Sequence, residues 1–125
     1  MAAILIDVGN TSTTIGRWEA DKVTEWVAVK GGIKNPSEVA AALEKLRASE
    51  CEAAMMASVV PAVNSTWSWM IEKVVGIKLE ILSIKHKLPI GIKYPNPEQI
   101  GADRIADAVG AVSRYGYPVI VADFG

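Results

Sequence analysis

Three short runs place acids next to glycine and hydroxyl residues in a way that suits phosphate chemistry. The first is Asp7-Val8-Gly9-Asn10-Thr11, continuing into Ser12-Thr13-Thr14. A carboxylate at the end of an apolar strand can hold Mg²⁺, through water, because hard cations prefer oxygen ligands. Gly9 lets backbone approach a ligand, and the amides and hydroxyls that follow can donate to phosphate oxygens. The same residues also make an ordinary hairpin turn. The second run is Tyr94-Pro95-Asn96-Pro97 followed by Gly101-Ala102-Asp103-Arg104. Asp103 can accept a proton from a substrate hydroxyl, and Arg104 can pair bidentately with a substrate carboxylate. Equally, Asp103 can simply stabilise a helix N-terminus with Arg104 at the surface. The third run, Asp123-Phe124-Gly125, repeats the apolar-strand, Asp-x-Gly pattern of the first. In a duplicated fold, it would set a second acid across a cleft from Asp7.

The elements that must position these residues follow from periodicity. Ala2 to Val8 reads as a central strand buried on both faces. Thr13 to Glu19 and Val23 to Val29 read as strands two and three of a meander. Asn35, Pro36 and Glu38 mark the start of a first helix, with Val39, Leu43 and Leu46 on one face. A strand from Ala53 to Val60 follows. A helix then opens at Pro61 with Val63, Trp67, Met70, Ile71 and Val74 inward, and a strand from Lys78 to Ile84 comes after it. Residues 85–100 form a long loop, which in a small domain tends to be functional. The third helix is expected from Ala102 to Tyr115 with Ile105, Val109 and Val112 inward, and Val119 to Ala122 begins a new strand. The order βββαβαβα describes an α/β ribonuclease H-like lobe of the actin, sugar kinase and Hsp70 superfamily over residues 1–117. Residues 118–125 are expected to be the first strand of a second lobe.

Composition narrows the chemistry. Half of the 125 residues are hydrophobic and 22% are charged, as in a globular domain with a real core. Net charge is -1, so no excess of cations is available to track a nucleic-acid backbone. The only cysteine, Cys51, fits a reducing cytoplasm. The start reaches Asp7 too early for a signal peptide, and no apolar run approaches the ~18 residues of a membrane span.

Taken together, Asp7-x-Gly-Asn-Thr, Ser58-Val-Val-Pro61, Tyr94-x-Asn-Pro97, Gly101-x-Asp-Arg104 and Asp123-x-Gly125 resemble type III pantothenate kinases in order and spacing. The resemblance covers the whole chain. It implies ATP-dependent phosphorylation of pantothenate at the start of coenzyme A synthesis, a two-lobed actin-like fold and a homodimer. It implies that Asp7, Val8, Gly9, Asn10, Thr11, Ser12, Thr13 and Thr14 contact the phosphates of ATP, carried with Mg²⁺. It also implies that Tyr94, Gly101, Ala102, Asp103 and Arg104 line the pantothenate site, that Asp103 is the proton acceptor, and that Asp123 helps bind a monovalent cation, K⁺ or NH₄⁺.

The family pattern continues from the last motif into Thr-Ala and a second lobe, whereas this sequence stops at Gly125. The chain is therefore read as truncated. On its own it is expected to bind ATP weakly and lack useful kinase activity, and to occur as a dimer or with a separate second half. Two other functions fit the residues less well. A metal-dependent ribonuclease H-like nuclease could draw on Asp7, Asp103, Asp107 and Asp123. A non-catalytic paralogue or regulatory subunit would not need both Asp7 and Asp103. Other residues are given structural or surface roles. His86 is read as a solvated loop residue. Lys85, Lys87 and Lys93 are read as solvated charges able to attract an anion. Asp107 lies one helical turn beyond Asp103, where it could support the site but is read mainly as structural. Trp67 is assigned to the core, Trp69 to a partner-facing surface, and Met55 and Met56 to a core strand.

Overall fold

Strand β1 (Ala2–Val8) is central because its residues are apolar on both sides of the pleat. It pairs antiparallel with β2 (Ser12–Glu19), which pairs antiparallel with β3 (Lys22–Lys30). On its other edge β1 pairs parallel with β4 (Ala53–Ser58), and β4 with the short β5 (Leu79–Ile81). The sheet order is β3-β2-β1-β4-β5. Parallel neighbours need long crossovers. Here α1 (Pro36–Lys45) joins β3 to β4, and α2 (Asn64–Val74) joins β4 to β5. This is the ribonuclease H-like lobe expected from element order. The computed structural model describes residues 1–124; Gly125, the glycine of the last motif, lies outside the described residues.

Period-two alternation assigns the faces. Ile4, Ile6 and Val8 point to one side with Ile15, Val29, Ala54, Met56 and Leu79, and there they meet Val39 and Leu43 of α1, Leu46 just after it, and Trp67, Met70 and Ile71 of α2. Trp67 is fully buried. The opposite face carries Leu5, Asp7, Thr14, Trp18, Trp26 and Met55 by register. Much of it is open, with Trp26 65% exposed. Helix α3 (Ala102–Tyr115) meets the sheet at β4, and its buried residue Ile105 lies outside the α1/α2 core.

A buried cation ties this frame together. Arg17, 3% exposed, donates from Nη1 to the carbonyls of Leu46 (3.1 Å) and Arg47 (3.0 Å) and approaches Cys51 Sγ at 3.5 Å. Its Nε donates to Glu19 at 3.1 Å. The guanidinium thus staples β2 to the connection between α1 and β4, satisfying carbonyls that burial would otherwise leave unpaired.

Several expected boundaries and side-chain roles change. Asn35 does not cap α1 through its side chain, because its Nδ2 donates backwards to the Lys30 carbonyl. β4 stops at Ser58, where Ser58 Oγ accepts the Val60 amide at 3.1 Å and turns the chain. Residues Pro61–Val63 form a 3-10 turn, and α2 begins at Asn64. Val74 is exposed, and so is Met55, on the opposite side of the pleat from the fully buried Met56. β5 covers only Leu79–Ile81. Val119 to Ala122 form no strand, since a strand exists only through pairing and these residues find no partner strand among the described residues.

Candidate functional site

The first motif sits where β1 turns into β2. Val8 pairs with Thr13, and the Gly9 amide donates to the Ser12 carbonyl at 3.0 Å, closing a tight turn with Asn10 and Thr11 exposed at its tip. A Cβ on Gly9 would lie 3.1 Å from the Ser12 carbonyl oxygen, so the close approach that favours glycine here is within the turn itself. Behind the turn stand Gly31 and Gly32, both left-handed at φ 76° and 54°. The Gly31 amide donates to the Thr11 carbonyl at 2.8 Å. A Cβ on Gly32 would come within 2.5 Å of Thr13 Oγ1. The Gly-Gly pair therefore fits against the turn as only residues without side chains can.

Alternation along β2 divides the expected phosphate residues. Asp7 and Thr14 are register partners on the open face, and Ser12 shares that face. Thr13 points the other way and is 1% exposed, so its hydroxyl cannot reach a surface ligand. Val8 is buried as well and offers only backbone. Of the eight expected residues, Asp7, Asn10, Thr11, Ser12 and Thr14 present side chains towards the open side, and Gly9 shapes the turn.

The second motif starts α3. Gly101 is the N-cap and has no side chain, so Asp103 takes over the capping: its Oδ1 accepts the Arg104 amide at 2.9 Å. This is the helix-stabilising role open to an acid in the first turn. It engages Oδ1, and among the described residues Oδ2 takes part in no hydrogen bond. A Cβ on Gly101 would lie 2.5 Å from Asp103 Oδ1 and 3.6 Å from Val59, so the helix start is pressed against the end of β4. β1 and β4 run parallel, so Asp7 and the α3 N-terminus meet at the carboxyl ends of the strands, where open α/β sheets bind ligands.

Electrostatics confirms this proximity. The Asp7 carboxyl is raised above the ordinary carboxylate range, first by desolvation and then by the charges of Asp103 and Asp123. Asp107 is raised first by desolvation, then by the Asp123 charge and a hydrogen bond shared with it, and then by Asp103 and Asp7. Asp7 and Asp107 keep exposed surface, so screening limits what this repulsion costs. Asp107 and Asp123 both line an open groove of about 510 Å³, together with Gly110 and Arg114. Sequence reading gave Asp107 a mainly structural role, yet it belongs to this acidic group; its i, i+4 spacing from Asp103 was the available signal. Among the described residues, no three acid, histidine or cysteine side chains stand close enough to hold a metal ion together. The donor set therefore fits a cation held by one carboxylate with water or substrate oxygens, as at Asp7, and not a cage of carboxylates.

Arg104 points about 100° round the helix from Asp103. It lines a second cavity of about 310 Å³ with Ile90, Ile92, Lys93, Tyr94 and Ile105. Gly101, Ala102 and Asp103 are not part of that lining. The loop forming its outer wall is fastened at its root. His86 Nδ1 accepts the Ser83 amide at 3.1 Å, and its Nε2 lies 3.9 Å from Glu80. The expected solvated histidine is half-buried, and it staples the loop. Tyr117 Oη donates to the Pro89 carbonyl at 3.3 Å on the other side.

The family model described as Type III pantothenate kinase matches residues 3–125. A type III pantothenate kinase of Halalkalibacterium halodurans is 34% identical over 129 residues, covering 98% of this chain and 51% of that protein. One from Akkermansia muciniphila is 45% identical over 83 residues, 66% of this chain and 32% of that protein. The chain spans about half the length of the curated relatives it matches from end to end. A chain from the solved PilM-PilN type IV pilus biogenesis complex superposes with a TM-score of 0.64 at 13% identity, over 94% of this chain and 46% of that one, which is a likeness of fold alone.

Proposed function

The chain belongs to the type III pantothenate kinase family, and on that premise we propose that the protein transfers the γ-phosphoryl group of ATP to the primary hydroxyl of pantothenate. The observation that carries this reading is the split at the start of α3: the Asp103 charge acts on Asp7 at the end of β1, while Arg104 lines a separate cavity beside Tyr94. A kinase needs this division, with one side for the phosphates and the proton acceptor and another to hold the acceptor molecule.

In this reading the Asn10–Thr11 tip, Ser12 and Thr14 donate to phosphate oxygens beside Asp7. Mg²⁺ accompanying ATP would be held by Asp7 through water, and a monovalent cation by Asp123; together they would neutralise phosphate charge. Pantothenate extends from the Arg104 cavity with its carboxylate on the guanidinium and its hydroxyl near Asp103. Asp103 Oδ2 takes the hydroxyl proton as the oxygen attacks the γ-phosphorus. The bond to the bridging oxygen breaks, and ADP leaves. Oδ1 stays on the Arg104 amide throughout, which fixes the carboxylate for the transfer. A homodimer is part of the same proposal. A nuclease using clustered carboxylates fits less well, since among the described residues no three of them stand close enough to hold one metal ion.

The test is ATP-dependent formation of 4'-phosphopantothenate by the complete gene product, followed by mass and by ADP release. Replacing Asp103 with Asn keeps the shape and the helix-start hydrogen bond but removes the base. Turnover should then fall by about 10²–10⁴-fold with ATP binding retained. Undiminished turnover of the Asp103→Asn enzyme would remove Asp103 from this role.

A further inference from the structure

The Arg104 cavity has a charge pattern that the phosphotransfer reading does not require. Nine residues line it: Lys93 and Arg104 are its only charged members, and the others are glycine, alanine, isoleucines and Tyr94. No carboxylate enters the lining, although the chain as a whole carries a net charge of -1. Among the described residues, neither cation takes part in an ion pair. Of the three lysines on this loop only Lys93 reaches the cavity; Lys85 and Lys87 lie outside it. The cavity is at the small end of the ~300–1,000 Å³ typical of small-ligand sites, and its walls are mainly aliphatic. Such a space suits a compact ligand with a branched apolar body and one anionic end.

We infer that Lys93 is a specificity-determining residue, the second cation of a paired carboxylate clamp that selects the acid form of the acceptor over neutral analogues. The inference rests on the pantothenate reading and adds to it a residue and a direction of selection. Arg104 sits on a helix and can fix the carboxylate in a planar, bidentate geometry. Lys93 sits on the loop and adds a mobile point charge at the cavity rim. An anion gives both cations a charge to pair with, whereas a neutral amide leaves both uncompensated. Because Lys93 is exposed, its share is that of a screened pair, about two- to fivefold in affinity.

The experiment compares pantothenate with its uncharged primary amide as acceptors for the complete gene product and its Lys93→Met and Lys93→Arg variants. Lys93→Met should raise KM for pantothenate about two- to fivefold with kcat unchanged, leave KM for the amide unaltered, and weaken the dependence of KM on salt. Lys93→Arg should restore discrimination. An equal change for both acceptors would make Lys93 a structural residue of the loop and overturn the inference, as would no change for either. Unchanged denaturation midpoints in both variants exclude misfolding as the cause. If the unmodified protein phosphorylates neither compound, the pantothenate reading itself falls and takes the inference with it. Turnover of pantothenate without a Lys93 effect overturns the inference alone.

Discussion

The two walls of the candidate site are built in opposite ways. The β1–β2 turn stands on a five-stranded sheet, is closed by its own hydrogen bond, and is backed by two left-handed glycines and a fully buried core. The wall of the second cavity is a loop with no strand in it, fastened by His86 at its root and by Tyr117 against Pro89. Helix α3 serves both, sending Asp103 and Asp107 to the acids and Arg104 to the loop. Under the proposed function, the phosphate-binding groups of the first wall also shape the fold, whereas Lys93, Tyr94 and Arg104 in the second stand outside the main core. Phosphate is common to every nucleotide and suits a rigid backbone cradle, whereas an acceptor pocket draws its selectivity from side chains on an adjustable loop.

Substitutions on each side test this contrast. The largest effect is expected beneath the turn. Trp67→Ala empties a fully buried site in the core behind the sheet, and should cost about 3–5 kcal/mol in denaturant unfolding. A loss below about 1 kcal/mol would mean that the turn does not depend on this core. On the loop side, Arg104→Met should raise KM for pantothenate about 10–100-fold, the worth of a charged hydrogen bond. Its unfolding free energy should stay within about 0.5 kcal/mol of the parent. A large stability loss there would erase the distinction between the walls.

Two glycines sharpen it further. Gly32→Ala forces a side chain into a left-handed position and against Thr13, so it should destabilise by about 1–2 kcal/mol or more. Gly91, on the cavity loop, has open space around it and no positive φ, so Gly91→Ala should change stability by no more than about 0.5 kcal/mol. Equal costs would show that the loop is as constrained as the turn.

The smallest effect concerns pH. The Asp107 carboxyl is raised in the folded protein, chiefly by desolvation, so the folded state holds that proton more tightly than the unfolded chain does. Stability is therefore lost as pH rises from the ordinary carboxylate pKa through the raised one. Asp107→Asn should melt at a higher temperature than the parent at neutral pH, and the difference should vanish as pH falls to about 4. With screening at this exposed site, the gain should stay below about 1 kcal/mol. Added Mg²⁺ should narrow the gap if it relieves the same repulsion. A variant that melts lower at neutral pH would show that Asp107 is held by favourable contacts instead.

Local chemistry in the sequence determined a great deal. The run Ala2 to Val8, the polar link at Glu19 to Lys22 and the boundaries of α3 could be read directly, because strand burial and helix periodicity are written in neighbouring residues. The motif residues were legible too, along with the family they resemble. The direction of each side chain was less so. Thr13 looked equivalent to Ser12 and Thr14, although period-two alternation alone would have turned it inward. Only the tertiary structure decided the rest. The Gly31–Gly32 buttress, the Arg17 staple and the separation of Lys93 from Lys85 and Lys87 all depend on contacts between residues far apart in the chain or on the path of a loop without periodicity. The influence of the Asp103 and Asp123 charges on Asp7 and Asp107 belongs with them, since it requires α3 and the segment after it to pack beside the sheet. Repeats of 2 and 3.6 residues fix the local backbone, but the meeting of distant charges is set by how the finished elements fill space around one core.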